Sequence, residues 1–379
     1  MANRYWVGGT GNWSDTARWA TTTGGAGGAS VPGAADNAFF DANSGTGTAT
    51  TTTGATCIIV TLNSSTLSLV LGDNFTHTGR FNFTLGSLSL GTYTWTCNDL
   101  QTSNTNVRSL DFGTGKIVLT GSGATIFSSN PTNLTLSGSK LIEAAYAGAA
   151  GTRAFSTGLP TEANTINLSI TAGTDTVQTN TGDGRIGNLN LTGFGGTFSN
   201  TSSKLIYGDF IVGSGVTLGA GSAAITFSAT SGTKTITTAG KTFDFPLVFN
   251  GVGGAWAFSD ALTQGSTRAF TITNGTVQLK DGATSTVGSF VASSTGQKFL
   301  QSTLLGTQAT LSQASGTVSV SDLNIRDINA VGGASWNAYT DFENTDAGNN
   351  DGWNFSLSPP YASYEPPIII RSFTQPRRF

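Results

Sequence analysis

A chain of 379 residues has room for two or three ordinary domains, yet charged residues are only 10% of it and glycine alone fills 51 positions. A formal net charge of −3 and a pI near 5.1 offer no attraction for nucleic acid or anionic lipid, and no apolar run approaches the ~20 residues of a membrane helix, so nucleic-acid binding and membrane insertion are not expected. The 37% hydrophobic fraction, much of it β-branched or aromatic and alternating with polar residues, excludes a disordered coil and predicts an ordered all-β chain.

The chain opens on "RYWVGGTGNWSDTARWATTTGGAGGASVPGAADNAFFDA", which puts Trp6, Trp13 and Trp19, three of only 7 tryptophans, inside the first twenty residues. Rings of this size require burial. They are predicted, with Phe39 and Phe40, to form a lid over whatever begins after them. The opening "MANRYWVGG" lacks the apolar core of a signal peptide, so export by the general secretory route is not expected.

Beyond the lid a short pattern recurs: a polar residue, then Leu or Phe, any residue, and an apolar one. It appears as "TLSL" at Leu67, "SLSL" at Leu88, "SLDF" at Leu110, "NLTL" at Leu134, "NLSI" at Leu168, "NLNL" at Leu189 and "DFIV" at Phe210. Successive intervals are 21, 22, 24, 34, 21 and 21, and weaker copies at Leu247, Phe270 and Phe290 are 23 and 20 apart, before "DLNI" at Leu323. A second short strand follows a Gly or Ser turn within each period, as in "SLDFGTGKIVLTG". Immunoglobulin-like domains repeat near 100 residues and propeller blades near 40–50, so neither fits. The spacing predicts a right-handed parallel β-helix, or solenoid, of about 20–24 residues per coil. Leu88, Leu110, Leu134, Leu189 and Phe210 are expected to stack in one core. The intervals of 34 before Leu168 and 37 between Phe210 and Leu247 are departures that one coil with an inserted loop would explain, and the sequence alone does not decide. Twelve or so coils between Leu67 and Leu323, at ~4.8 Å each, give a rod about 55–60 Å long.

Candidate chemistry is sparse. Cys57 and Cys97 are the only cysteines and His77 the only histidine, too few for an ordinary zinc site. In-phase coils hold the two cysteines about two layers, or 9–10 Å, apart, whereas a disulfide needs Cα atoms within ~7 Å. Buried free thiols are the preferred reading over a pair. A polysaccharide depolymerase would need two carboxylates, and Asp183, Asp209, Asp244 and Asp260 are the mid-chain acids available to it. None has an evident basic partner, so they read as solvated turn residues and no enzyme activity is expected. "GTGKIVLTG" around Lys116 lacks the Walker spacing. In "NTDAGNNDG", aligning Gly352 with the invariant glycine of a calcium loop puts Ala347 and Ser358 at the anchor positions, where neither can serve. No metal and no cofactor are expected.

At the far end "GGASWNAYTDFENTDAGNNDGWNF" gathers Trp336, Tyr339, Phe342, Trp353 and Phe355 into a second aromatic cap. A stack of coils leaves an open apolar cross-section and free strand edges at both ends, which such plugs would close. The competing reading of either cluster is a carbohydrate-stacking platform. The expected organisation is a cap over 1–56, a solenoid body over 57–332, a second cap over 333–357 and an extended arm over 358–379. That arm, "SPPYASYEPPIIIRSFTQPRRF", carries five prolines that forbid a regular helix. It is read as an assembly arm that lays Tyr361, Tyr364, Ile368, Ile369, Ile370 and Phe373 on a partner, with Arg371, Arg377 and Arg378 meeting acidic groups. The alternative is a tail packed on its own solenoid.

The opening "RYWVGGTGNWSDTARW" with "SVPGAADNAFFDA" resembles the W-x-G-G-T-G-x-W…W…V-P-x-x-x-D-x-x-x-F start of β-rich structural proteins of tailed bacteriophages, and a related pattern begins repeats of bacterial β-helical adhesins. The closing "WNAYTDFENTDAGNNDGWNF" resembles a phage pattern ending N-x-G-W-x-F. The resemblance covers about the first 40 residues and those from about 333 to 356. It implies a non-enzymatic virion protein, a fibre, spike or surface decoration, assembled in the host cytoplasm with copies of itself and other virion proteins, and able to touch a host surface glycan. A secreted adhesin and a depolymerase spike are the alternatives, and the lack of visible export equipment favours the phage over the adhesin.

Overall fold

The structure, a computed structural model, describes residues 1–157, 161–179 and 184–358. The chain winds through about 14 turns of roughly 22 residues each as a parallel β-solenoid, the all-β architecture expected from its repeat, with aromatic clusters at its ends. Each strand pairs with its counterpart one coil earlier and one coil later. In the longest stack, Phe75, Trp95, Ile117 and Ile142 are successive partners. Leu168, Leu189, Phe210 and Ile236 continue the same line. Alternation sets the inward face: Ile117 and Leu119 are buried while Lys116 and Val118, which alternate with them, are half-buried. The inward rows merge into one apolar core that runs from the Trp6 end to the Trp336 end.

Leu88, Leu110, Leu134, Leu189 and Phe210 all belong to that core, but they do not form one stack. Leu88 pairs with Leu110 and Leu110 with Leu136, while Leu134 pairs with Arg108. Leu189 and Phe210 lie in a different stack. The repeat pattern recurs on more than one face, because every face of a solenoid imposes the same alternation. It also accounts for the two long intervals, which are not loops inserted into a single coil. The partner of Leu168 in the preceding coil is Ile142, and the partner of Phe210 in the following coil is Ile236. The intervals of 34 and 37 measured distances between unlike faces. The weaker series Leu247, Phe270, Phe290 is a true stack in register.

The polar residue that opens the pattern has a structural task. Asn167 Oδ1 accepts from the backbone N–H of Asn188 at 2.9 Å, and Asn188 Oδ1 accepts from that of Asp209 at 2.8 Å. Asp209 Oδ1 in turn accepts from Thr235 N at 2.7 Å. These side chains satisfy donors just ahead of the residues at which the ladder to the neighbouring coil begins.

At two places a long strand turns a corner without breaking. Ile59–Val70 pairs with Arg80–Ser89, and Leu247–Phe258 pairs with Ala269–Leu279, each with register shifts part-way along. A bulge there bends the strand from one face to the next.

Candidate functional site

The first coil is closed by the tryptophan lid. Asn3–Trp6 lies parallel to Asn37–Phe40, and its other edge is met by Trp19–Ala20 running antiparallel, so the ladder of the solenoid begins inside the lid and ends on a reversed strand. Trp6 and Trp19 are fully buried and Trp13 is 2% exposed. Their rings meet edge-on, Trp6 with Trp19 at 5.1 Å and Trp13 with Trp19 at 4.8 Å, and Trp13 reaches Phe75 of the next layer at 5.2 Å. The Trp6 indole N–H donates to Gly9 O at 2.7 Å and that of Trp19 to Trp13 O at 2.8 Å. Gly9 is left-handed at φ 76°, and a Cβ on it would sit 2.4 Å from Thr46 O. The glycines of the motif thus let the backbone fold tightly enough for its tryptophans to meet. The three tryptophans therefore offer no open ring face to a carbohydrate, whereas Phe39, expected among the plugging rings, points out of the core and stacks on Tyr5 at 5.0 Å with both rings half-buried.

The opposite end is looser. Trp336 is 4% exposed and sits 5.0 Å from Trp353 and 6.1 Å from Phe290, while Trp353 and Phe355 are only partly buried. Tyr339 and Phe342 pair at 6.3 Å, with Phe342 open to solvent. Ser358 is tied down, its hydroxyl donating to Asp341 Oδ2 at 2.5 Å. The arm residues Tyr361, Tyr364, Ile368, Ile369, Ile370, Arg371, Phe373, Arg377 and Arg378 lie outside the described residues.

Asp244 has the basic partner that the sequence did not reveal, its Oδ1 accepting from Arg268 Nε of the next coil at 2.7 Å. Asp260 holds a turn, accepting the backbone N–H groups of Thr238 and Ala239 at 2.8 and 2.7 Å and supporting the left-handed Ala239. Asp183 is outside the described residues. Asp346 accepts from Gly348 N and from Asn350 Nδ2, closing its own turn. Among the described residues no cluster of His, Cys, Asp and Glu is placed to hold a metal.

Cys57 and Cys97 are buried free thiols, and burial pushes both up from the ordinary thiol range. His77 is 2% exposed. Its Nδ1 contacts Ile58 O at 3.0 Å and its Nε2 accepts from Trp95 Nε1 at 3.1 Å, an arrangement that suits the neutral ring with the proton on Nδ1. Burial lowers its pKa to about 4.

Buried cations are what the sequence reading missed. Arg108, Lys204 and Lys298 are essentially inaccessible, yet each opens a strand and folds back over the loop before it. Lys204 Nζ donates to Asn200 Oδ1 at 3.0 Å and Ser202 O at 2.8 Å, with the Phe198 ring 5.5 Å away. Lys298 Nζ donates to Ser294 O and Gly296 O. Arg108 serves carbonyls of Thr102, Asn106, Asn130 and Thr132. Burial lowers all three pKa values, that of Lys204 to about 8. Arg153 is instead paired bidentately with Asp175, both contacts 2.8 Å and both side chains fully buried. The available signal was a loop of Ser, Thr, Asn or Gly ending in one cation before an apolar run: "TSNTNVRSL", "SNTSSKLI" and "SSTGQKFL".

No helix among the described residues is long and apolar enough to cross a membrane. The chain matches no protein-family model, no curated protein and no solved structure. A solenoid by itself implies no activity, so function must be argued from particular residues.

Proposed function

We propose that this chain is a non-enzymatic structural rod of a tailed-bacteriophage particle, of fibre, spike or surface-decoration type, assembled in the host cytoplasm with copies of itself and other virion proteins. The observation that carries the proposal is the lid. The residues that resemble the opening of phage structural proteins, Trp6, Trp13 and Trp19 among them, are the ones buried over the first coil. A motif spent on closing the end of a rod suits a protein whose task is to be a rigid, self-contained element. The polar groups point the same way, since Asp209, Asp244 and Asp260 tie one coil to the next while Lys204 and Lys298 each fasten the loop before them.

The arm supplies the joining element of this reading. Five prolines lower the entropy lost on docking, and its isoleucines and aromatics need cover that a partner subunit would provide. Two measurements test the proposal. A mass-spectrometric and cryo-EM inventory of purified particles is expected to contain the chain, whereas recovery from host envelopes alone would favour an adhesin. Deleting 359–379 is expected to leave circular dichroism and the melting transition nearly intact while abolishing oligomerisation or incorporation. Unchanged assembly after the deletion removes the arm from the proposal.

A further inference from the structure

The two bent corners are one structure made twice. Burial alternates in the same order over residues 60–69 and 247–256, and again over 81–89 and 270–278. In the first corner Leu62 and Asn63 face Phe83 and Leu85, and pairing resumes at Ser68 with Ser87. In the second, Phe249 and Asn250 face Ile272 and Asn274, and pairing resumes at Ala255 with Thr276. Residues 64–67 and 251–254 therefore loop out at corresponding places.

Gly86 and Gly275 stand opposite these loops with φ of 112° and 87°. A Cβ on Gly86 would lie 2.2 Å from Ser64 O, and one on Gly275 2.6 Å from Gly251 O, which are corresponding atoms. One coil further on, Arg108 pairs with Gly86 and Lys298 with Gly275. Each of these buried cations donates to the carbonyl two residues before it. Glycine, loop and cation recur together although the side chains between them differ.

Each corner encloses an open groove, of about 250 Å³ in the first and 290 Å³ in the second, walled by the same structural positions. No charged side chain lines either one. The first presents hydroxyls, Ser65, Thr66, Ser87 and Ser109, around an exposed Val107; the second presents Asn274, Thr276 and Gln297 with Phe299 and an exposed Val252. A charged ligand would lose hydration here without gaining a counter-charge. Thr66, Ser87 and Asn274 already donate to Gly45 O, Ser68 Oγ and Asn250 Oδ1, but a purely apolar ligand would still strip water from Ser65, Ser109, Thr276 and Gln297 and leave them unpaired. A sugar ring offers both hydroxyls and a C–H face.

We infer that the two grooves are equivalent subsites for a neutral saccharide. Eight coils separate them, or about 38 Å along the axis at ~4.8 Å per coil, and they open at different corners of the coil: the second half of the first bend stacks with Arg108–Asp111 and Leu134–Ser137, whereas that of the second stacks back through Thr233–Thr237 to Thr94–Cys97, the next face along the chain. The inference goes beyond the particle reading and stands independently of it, because the same grooves would serve a chain of cellular origin.

The test uses the full chain, calorimetry, and a panel of uncharged oligosaccharides with their parent polymers (dextran, laminarin, galactomannan), with hyaluronan as the anionic comparator. Ser87→Glu and Thr276→Glu place a charge in one groove each, at half-buried positions, and circular dichroism and melting report whether the fold is kept. For a short oligosaccharide that binds, each single variant is expected to halve the stoichiometry from two to one with the remaining site unchanged. The double variant is expected to lose binding. Wild-type chain that binds no uncharged member of the panel, equal binding of hyaluronan, or a folded double variant that still binds two would overturn the inference. So would occupation by a peptide: if the arm peptide YEPPIIIRSF fills the grooves and no sugar does, the ligand class is wrong.

Discussion

Acid is expected to loosen the His77 coil. The ring is buried with both nitrogens engaged, and burial holds its pKa at about 4 against an ordinary 6.5. Below pH 6.5 an opened coil takes up a proton that the closed coil refuses, so stability falls as pH drops from about 6.5 and levels off below about 4. The gap corresponds to about 3 kcal/mol at ~1.4 kcal/mol per pH unit. In a stack of coils this cost is read best as local opening, through hydrogen exchange of amides such as His77 N, which donates to Thr96 O. Protection there is expected to fall about a hundredfold between pH 7 and pH 4 after correction for intrinsic exchange. His77→Phe removes the titration and leaves the Trp95 indole N–H without its acceptor. It is expected to be less stable at pH 7 by about 1–3 kcal/mol but nearly flat in the same pH window. The chain has no second histidine, so one NMR titration decides the matter. A folded-state pKa near 6.5, or a His77→Phe variant with the parental pH slope, would refute the reasoning.

Trp13→Ala is expected to cost ~3–5 kcal/mol, because a buried ring between Trp19 and Phe75 is replaced by a cavity; removal of residues 1–41 is expected to cause aggregation, seen by light scattering, and a monomeric product melting at the parental temperature would exclude the lid. Gly86→Ala is expected to destabilise by well over the ~1 kcal/mol of an ordinary Gly→Ala change, since the new Cβ meets Ser64 O and the backbone is left-handed; a thermal melt within a degree of the parent would contradict this. Lys204→Met is expected to leave Asn200 Oδ1 and Ser202 O without their donor and to cost about 1–3 kcal/mol, measured by denaturant unfolding or local exchange.

The alternation of "NLSI", "NLNL" and "DFIV", their spacing of 21, and the scarcity of charge were enough to identify a parallel solenoid and the length of its coil. Local pattern carries that information because each coil buries its own inward residues against the next. Which face a given copy occupies was not legible. Leu134 looked like the successor of Leu110, yet Leu136 is the partner, since a pattern of period two fits equally well after a shift of two residues. The tryptophans advertised burial by size alone, and so the lid was visible. The cations did not, because Arg108, Lys204 and Lys298 look like surface residues until the loop carbonyls around them are known.

The duplicated corner lay still further from the sequence. Residues 60–69 and 247–256 share few side chains, and only the common bulge, the Gly86 and Gly275 bends and the cation beneath each show them to be the same object. By itself the sequence determined the kind of fold, the coil length and the residues that must leave water, all of which follow from short-range periodicity and side-chain size. The tertiary structure alone decided register between faces, the capture of buried charge by loop carbonyls and the pairing of two distant grooves, because each depends on atoms brought together from different coils.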